Sequence, residues 1–158
     1  MNETLTAEKG TVLKAFEKAK PGRKEFLKTL FGAKTFVPNI MERIKNFDDV
    51  CKEMGVNPKK YICDSEDPDD IAANALRQAL LISRCFNADS KEVINWANSN
   101  QPKYFHFYEF SPSSGWSLNL VGGWLAYTGC GSRLAFIDKD HARYAWETFK
   151  EIYINLIK

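Results

Sequence analysis

The chain has 158 residues, 44% hydrophobic and 13% aromatic, with a formal net charge of +2. That length suits a single domain, and the near-balanced charge argues against a polyanion binder that works by charge alone. No apolar run approaches the roughly 20 residues of a membrane span. The opening MNETLTAEKG lacks the basic start and apolar run of a secretory signal. A cytoplasmic protein is expected, with no membrane partner. Four cysteines, Cys51, Cys63, Cys85 and Cys130, include no C-x-x-C pair. They are expected to be free thiols in a reducing compartment.

Charge is uneven along the chain. Lys9, Lys14, Lys18, Lys20, Arg23, Lys24, Lys28 and Lys34 crowd the beginning, and an acidic run from Asp64 to Asp70 follows later. Val12, Leu13, Phe16 and Ala19 mark a first helix. Pro21 opens a second, expected to bury Phe26, Leu27, Leu30 and Phe31 and to stop at Gly32. Residues 1–34 thus read as a helical hairpin, a possible appendage to an α+β core over 35–158 within one domain of 1–158. Its Lys14, Lys18, Arg23, Lys24 and Lys28 are the candidates for a phosphate-binding face. The plain alternative is a solvated surface.

Ile40, Met41 and Ile44 mark a brief helix. Asp48 and Asp49 begin another, which Gly55 ends. Asp67, Pro68, Asp69 and Asp70 form a strong start signal for a helix running to Phe86. They lack the spacing of a calcium loop, so capping accounts for them better than a metal. Asp89 and Glu92 have capping-box spacing and predict a further helix through Ala97.

The texture then changes. Lys103–Phe110, KYFHFYEF, predicts a strand with aromatics on both faces. Trp116, Leu118 and Leu120 alternate with polar residues. Gly122-Gly123 predicts a hairpin turn, Trp124–Thr128 a return strand, and Gly129-Cys130-Gly131 a turn into a last strand over Ser132–Ile137. Asp138 caps a long amphipathic helix expected over 139–156, whose stripe is Ala142, Ala145, Trp146, Phe149, Ile152, Tyr153 and Leu156. The predicted fold class is α+β: a helical N-terminal half, an antiparallel meander of about four strands, and a long C-terminal helix packed on it.

Some of these blocks resemble a known group. Gly131-Ser132-Arg133-Leu134-Ala135-Phe136, followed by a helix with Tyr144-Ala145 and ending Glu151-Ile152-Tyr153, is similar to the C-terminus of small proteins encoded by prophages and mobile elements of gut anaerobes. KAFEKAKPGRKEFLKTLFG (14–32) and IMERIKNFDDVCKEMGVNP (40–58) agree in order. The group has no established activity, so the resemblance implies an accessory role and carries over no catalytic residue.

Motifs for chemistry are weak. Cys130 and His141, with Asp138 or Asp140 to orient the ring, are the one cysteine–histidine combination near an end of the sheet. A nucleophile in a glycine turn beside a histidine in a helix's first turn is a poor catalytic arrangement. Gly129-Cys130-Gly131 lacks the third glycine and the helix of a dinucleotide fingerprint. No phosphate loop and no metal-ligand spacing occur. No cofactor, metal or catalytic residue is therefore expected. The favoured reading is a non-catalytic interaction module contacting a protein partner, or a second copy of itself, through exposed sheet aromatics. Tyr104, His106, Tyr108, Trp116 and Trp124 with Arg133 are the candidate binding residues. The alternative is nucleic-acid binding by the basic hairpin.

Overall fold

The computed structural model describes residues 7–125, 127 and 131–158. It is an α+β protein with seven α-helices and a two-stranded antiparallel sheet among those residues. The chain divides into two compact units, Met1–Arg43 and Ile44–Lys158.

The first unit holds α1 (Lys9–Glu17), α2 (Pro21–Phe31), a 3-10 turn (Ala33–Thr35) and the short α3 (Ile40–Arg43). Pro21 at the first helical position and Gly32 at φ 79° bound α2 as its sequence predicts. Burial differs from expectation. Leu27 is half-buried, while Phe26, Leu30 and Phe31 are exposed. Phe36 takes up α1's aromatic, stacking on Phe16 at 4.1 Å. Val12 is the buried residue of the nine-residue α1.

The second unit is built around α5 (Pro68–Asp89), 22 residues long. Asp67 caps it through the backbone N–H groups of Asp69 and Asp70. Ala75, Ala79, Ile82 and Phe86 form its buried face. Against it lie α4 (Phe47–Glu53), a 3-10 turn at Pro58–Tyr61, α6 (Lys139–Thr148) and α7 (Lys150–Ile157). Asn46 and Asp49 close a reciprocal capping box on α4.

Four expectations are corrected here. The helix predicted from Asp89 is absent, because α5 itself runs through Asp89. Beyond Ser90 polar side chains take the backbone donors: Asn95 Oδ1 accepts from the N–H of Ala97, and Gln101 Oε1 from the N–H of Asn95. Such local bonds compete with a helix ladder.

Gly122-Gly123 is not a turn. The sheet pairs β1 (Lys103–Ser111) with β2 (Gly115–Trp124), and the hairpin turns before Gly115, at φ 73°. Phe105 faces Gly122 and Tyr104 faces Gly123 across the pair. Aromatic rings of β1 cover both glycines, Phe107 over the first and Tyr104 over the second. One extra residue of β2 makes a bulge between the Phe107 and Tyr108 pairs.

The strand expected over Ser132–Ile137 is a 3-10 turn (Ser132–Leu134) followed by a single bridge between Phe136 and Tyr104. Side chains of α5 hold the rest of its backbone. Ser83 Oγ donates to the Arg133 carbonyl, Asn87 Nδ2 donates to that of Ala135, and Asn87 Oδ1 accepts from the N–H of Ile137. The expected meander of about four strands is thus two strands and a bridge among the described residues. Of the predicted return strand Trp124–Thr128, Ala126 and Thr128 lie outside the described residues, as do Gly129 and Cys130.

The C-terminal helix breaks at Phe149, whose φ of −118° and ψ of 29° leave the helical region. The break divides the single stripe between two partners. α6 packs on the hairpin, and α7 packs on α5. Trp146 and Tyr153 still meet across the break, and both pack against His106.

Candidate functional site

The hairpin's two faces meet different surroundings. Tyr104, His106, Tyr108 and Phe110 share one face with Gly123, Val121, Leu118 and Trp116. α6 covers its middle. His106 is 8% exposed, and its Nε2 lies 2.6 Å from the carbonyl oxygen of Ala142. Trp146 packs against both His106 and Tyr108. Burial, only partly offset by the Ala142 hydrogen bond, pulls the His106 imidazole below its ordinary range. The neutral ring therefore carries its proton on Nε2 and donates it to Ala142. Tyr104 and Tyr108 are half-buried, and beyond α6 Phe110 is exposed edge-on to a half-buried Trp116.

The other face carries Lys103, Phe105, Phe107 and Glu109 opposite Trp124, Gly122, Leu120 and Ser117. Lys103 is fully buried, its Nζ donating to the Asn98 carbonyl and lying over the Trp96 ring. Phe105 is buried as well. From Phe107 onward the face opens. Phe107 stacks on Trp124, Leu120 is 48% exposed and Trp124 45% exposed. The exposed Leu125 and Tyr127 follow directly.

Of the six sheet residues singled out by sequence, the fold therefore separates Tyr104, His106 and Tyr108 from Trp124. Trp116 sits at the far end of the hairpin and Arg133 in the exposed 3-10 turn. Phe107 and Leu120 belong to the open row, but their alternation in sequence does not distinguish an open row from a covered one.

The alternative basic face lies on the first unit. Lys14, Lys18 and Arg23 are exposed. Lys24 lies over the Phe16 ring, and Lys28 pairs with Glu25 at 2.8 Å.

The described residues of the second unit line a polar and an apolar concavity. A polar cleft of about 500 Å³ is lined by Asp89, Ser90, Glu92, Asp138 and His141 among others. Its Ser90–His141 contact is long, 3.4 Å from Oγ to Nδ1, and Ser90 already bonds the Phe86 carbonyl. Asp138, the acid that could orient the ring, accepts from the N–H groups of Asp140 and His141 as the cap of α6. At 3.4 Å the Ser90–His141 contact is long for a nucleophile and its base. Cys130, the nucleophile considered from sequence, lies outside the described residues.

The second concavity is apolar, about 370 Å³, between β1, α5 and α7. His106, Tyr108 and Tyr153 are its lining residues with polar side chains, amid Leu76, Leu134 and Leu156. Tyr153 looks in sequence like one more residue of a core stripe, and the fold sets it beside His106 and Trp146. Among the described residues no group of three or more His, Cys, Asp or Glu side chains is arranged to hold a metal ion. No described helix is long and apolar enough to cross a membrane.

Comparison with family models, with curated proteins and with solved structures finds no match to this chain.

Proposed function

We propose that the protein is a non-catalytic interaction module that pairs with a second copy of itself through the open side of its hairpin. The observation that carries this reading is the row Phe107, Leu120 and Trp124, on a face that α6 leaves uncovered. Contiguous exposed apolar surface of this kind marks partner sites, and tryptophan and tyrosine are favoured in them. The ten-residue β2 has β1 on one edge and no strand on the other among the described residues. An antiparallel edge is self-complementary about a two-fold axis, so two hairpins can join edge to edge. Buried thiols at Cys51 and Cys85 suit a reducing, cytoplasmic setting. The resemblance of the sequence blocks suits an accessory protein of a prophage or mobile element.

Light scattering over a range of concentrations tests the pairing. The wild type should pass from monomer to dimer, and Leu120→Glu or Trp124→Glu, both at exposed positions, should hold it monomeric with its circular dichroism unchanged. A wild type that stays monomeric at every concentration overturns the reading. Salt-dependent retention on a nucleic-acid column, removed by Lys24→Glu with Lys28→Glu, would move the function to the basic hairpin.

A further inference from the structure

We propose that the apolar cavity between β1, α5 and α7 binds a neutral, mainly hydrocarbon molecule bearing a single carbonyl or hydroxyl oxygen, which accepts a hydrogen bond from Tyr153. Four observations support this independently of the dimer reading. The cavity's volume of about 370 Å³ lies in the range of small-molecule sites. Its walls are aliphatic and aromatic, with no Lys, Arg, Asp or Glu among the lining residues. Tyr153 is 2% exposed, and its buried hydroxyl has no hydrogen-bond partner. Leu76, at 38% exposure, leaves one wall open to solvent.

A buried hydroxyl without a partner is a rare feature that calls for one. The neighbouring His106 meets Tyr153 edge to face, and no hydrogen bond joins the two. Burial keeps the phenol protonated, so it is a donor. The lining also selects the ligand's charge. A carboxylate or phosphate entering here would lose its water and gain no cation. A neutral oxygen on a hydrocarbon chain or ring matches one donor in an apolar wall.

The experiment uses the full chain and the neutral dye N-phenylnaphthylamine, which fluoresces when it leaves water. Saturable enhancement at one dye per chain is expected. A medium-chain methyl ketone should displace it more strongly than the alkane or the carboxylate of the same length. Tyr153→Phe keeps the ring and removes the hydroxyl. It should retain dye binding and reduce the ketone's affinity by roughly three- to tenfold, the worth of one hydrogen bond. Leu76→Trp, at the exposed edge, should block the dye without unfolding the protein. Leu120→Glu should leave the titration unchanged. No saturable binding by the folded wild type overturns the proposal. So does ketone affinity that Tyr153→Phe leaves intact, the result expected if a water alone satisfies the hydroxyl. Loss of dye binding in Leu120→Glu overturns it too, by placing the dye on the sheet.

Discussion

The imidazole of His106 is bound to the carbonyl of Ala142, Nε2 to oxygen 2.6 Å, and this contact joins the hairpin to the first turns of α6. It also sets a pH dependence. The titratable groups whose rings meet that of His106 are the phenols of Tyr108 and Tyr153. Burial holds the folded pKa below the ordinary 6.5. Between those two values the unfolded chain binds more protons than the folded one, so stability falls as pH falls. The stability that neutral His106 contributes is complete above 6.5 and is lost as pH drops from there through the lower folded value. Urea unfolding at pH values on both sides of 6.5 should show the decline in wild type and a shallower one in His106→Gln. Equal slopes in the two proteins would refute it.

Phe149 is the hinge of the C-terminal helical segment, 4% exposed. Phe149→Ala should cost about 3–5 kcal/mol, the usual range for emptying a phenylalanine site in a core. A cost below about 1 kcal/mol in urea would mean that the ring is not packed as described.

Asn87 grips both sides of Phe136, at the Ala135 carbonyl and the Ile137 N–H. Asn87→Ala leaves both backbone groups without that partner, an expected loss of about 1–3 kcal/mol. Hydrogen exchange at the Ile137 amide should quicken more than exchange in the middle of α5. Uniform quickening would show that Asn87 supports the whole unit instead of this segment.

Gly122 sits under Phe107, and a Cβ there would lie 2.6 Å from Cε2 of the ring and 2.9 Å from Cδ1 of Leu120. Gly122→Ala must displace Phe107 from its stack on Trp124. Trp124 emission should shift, and stability should fall by about 1 kcal/mol, the low end for overpacking, because the ring is half-buried and can swing. Unchanged Trp124 emission would show that the ring does not depend on the glycine.

The thiols should react in a definite order. Cys51 and Cys85 are buried, and burial with the nearby Asp48 raises the Cys51 thiol above its ordinary range. Cys63 is half-buried. In a Cys130→Ser background a disulfide reagent should label Cys63 first, and the other two only as fast as the protein opens. Early labelling of Cys51 would contradict its burial.

Local chemistry made most helix boundaries legible from sequence. Asn46 with Asp49, Asp67 before Pro68, Asp138, and Gly32 act within a few residues of themselves, so no distant partner is needed to read them. The strand at Lys103–Ser111 was legible for a similar reason, since aromatic and β-branched runs favour extended backbone. The rest depended on competition between distant groups. Gly122-Gly123 has the composition of a turn and became strand because rings from β1 cover it. Residues 132–137 alternate like a strand, but Ser83 and Asn87, about fifty positions away, claimed their backbone. The stripe from Ala142 to Leu156 has one period. Its division at Phe149 follows from two surfaces, the hairpin and α5, each drawing part of it into contact. The fold also places Tyr153 against the cavity beside His106, a meeting that residues so far apart in sequence do not announce.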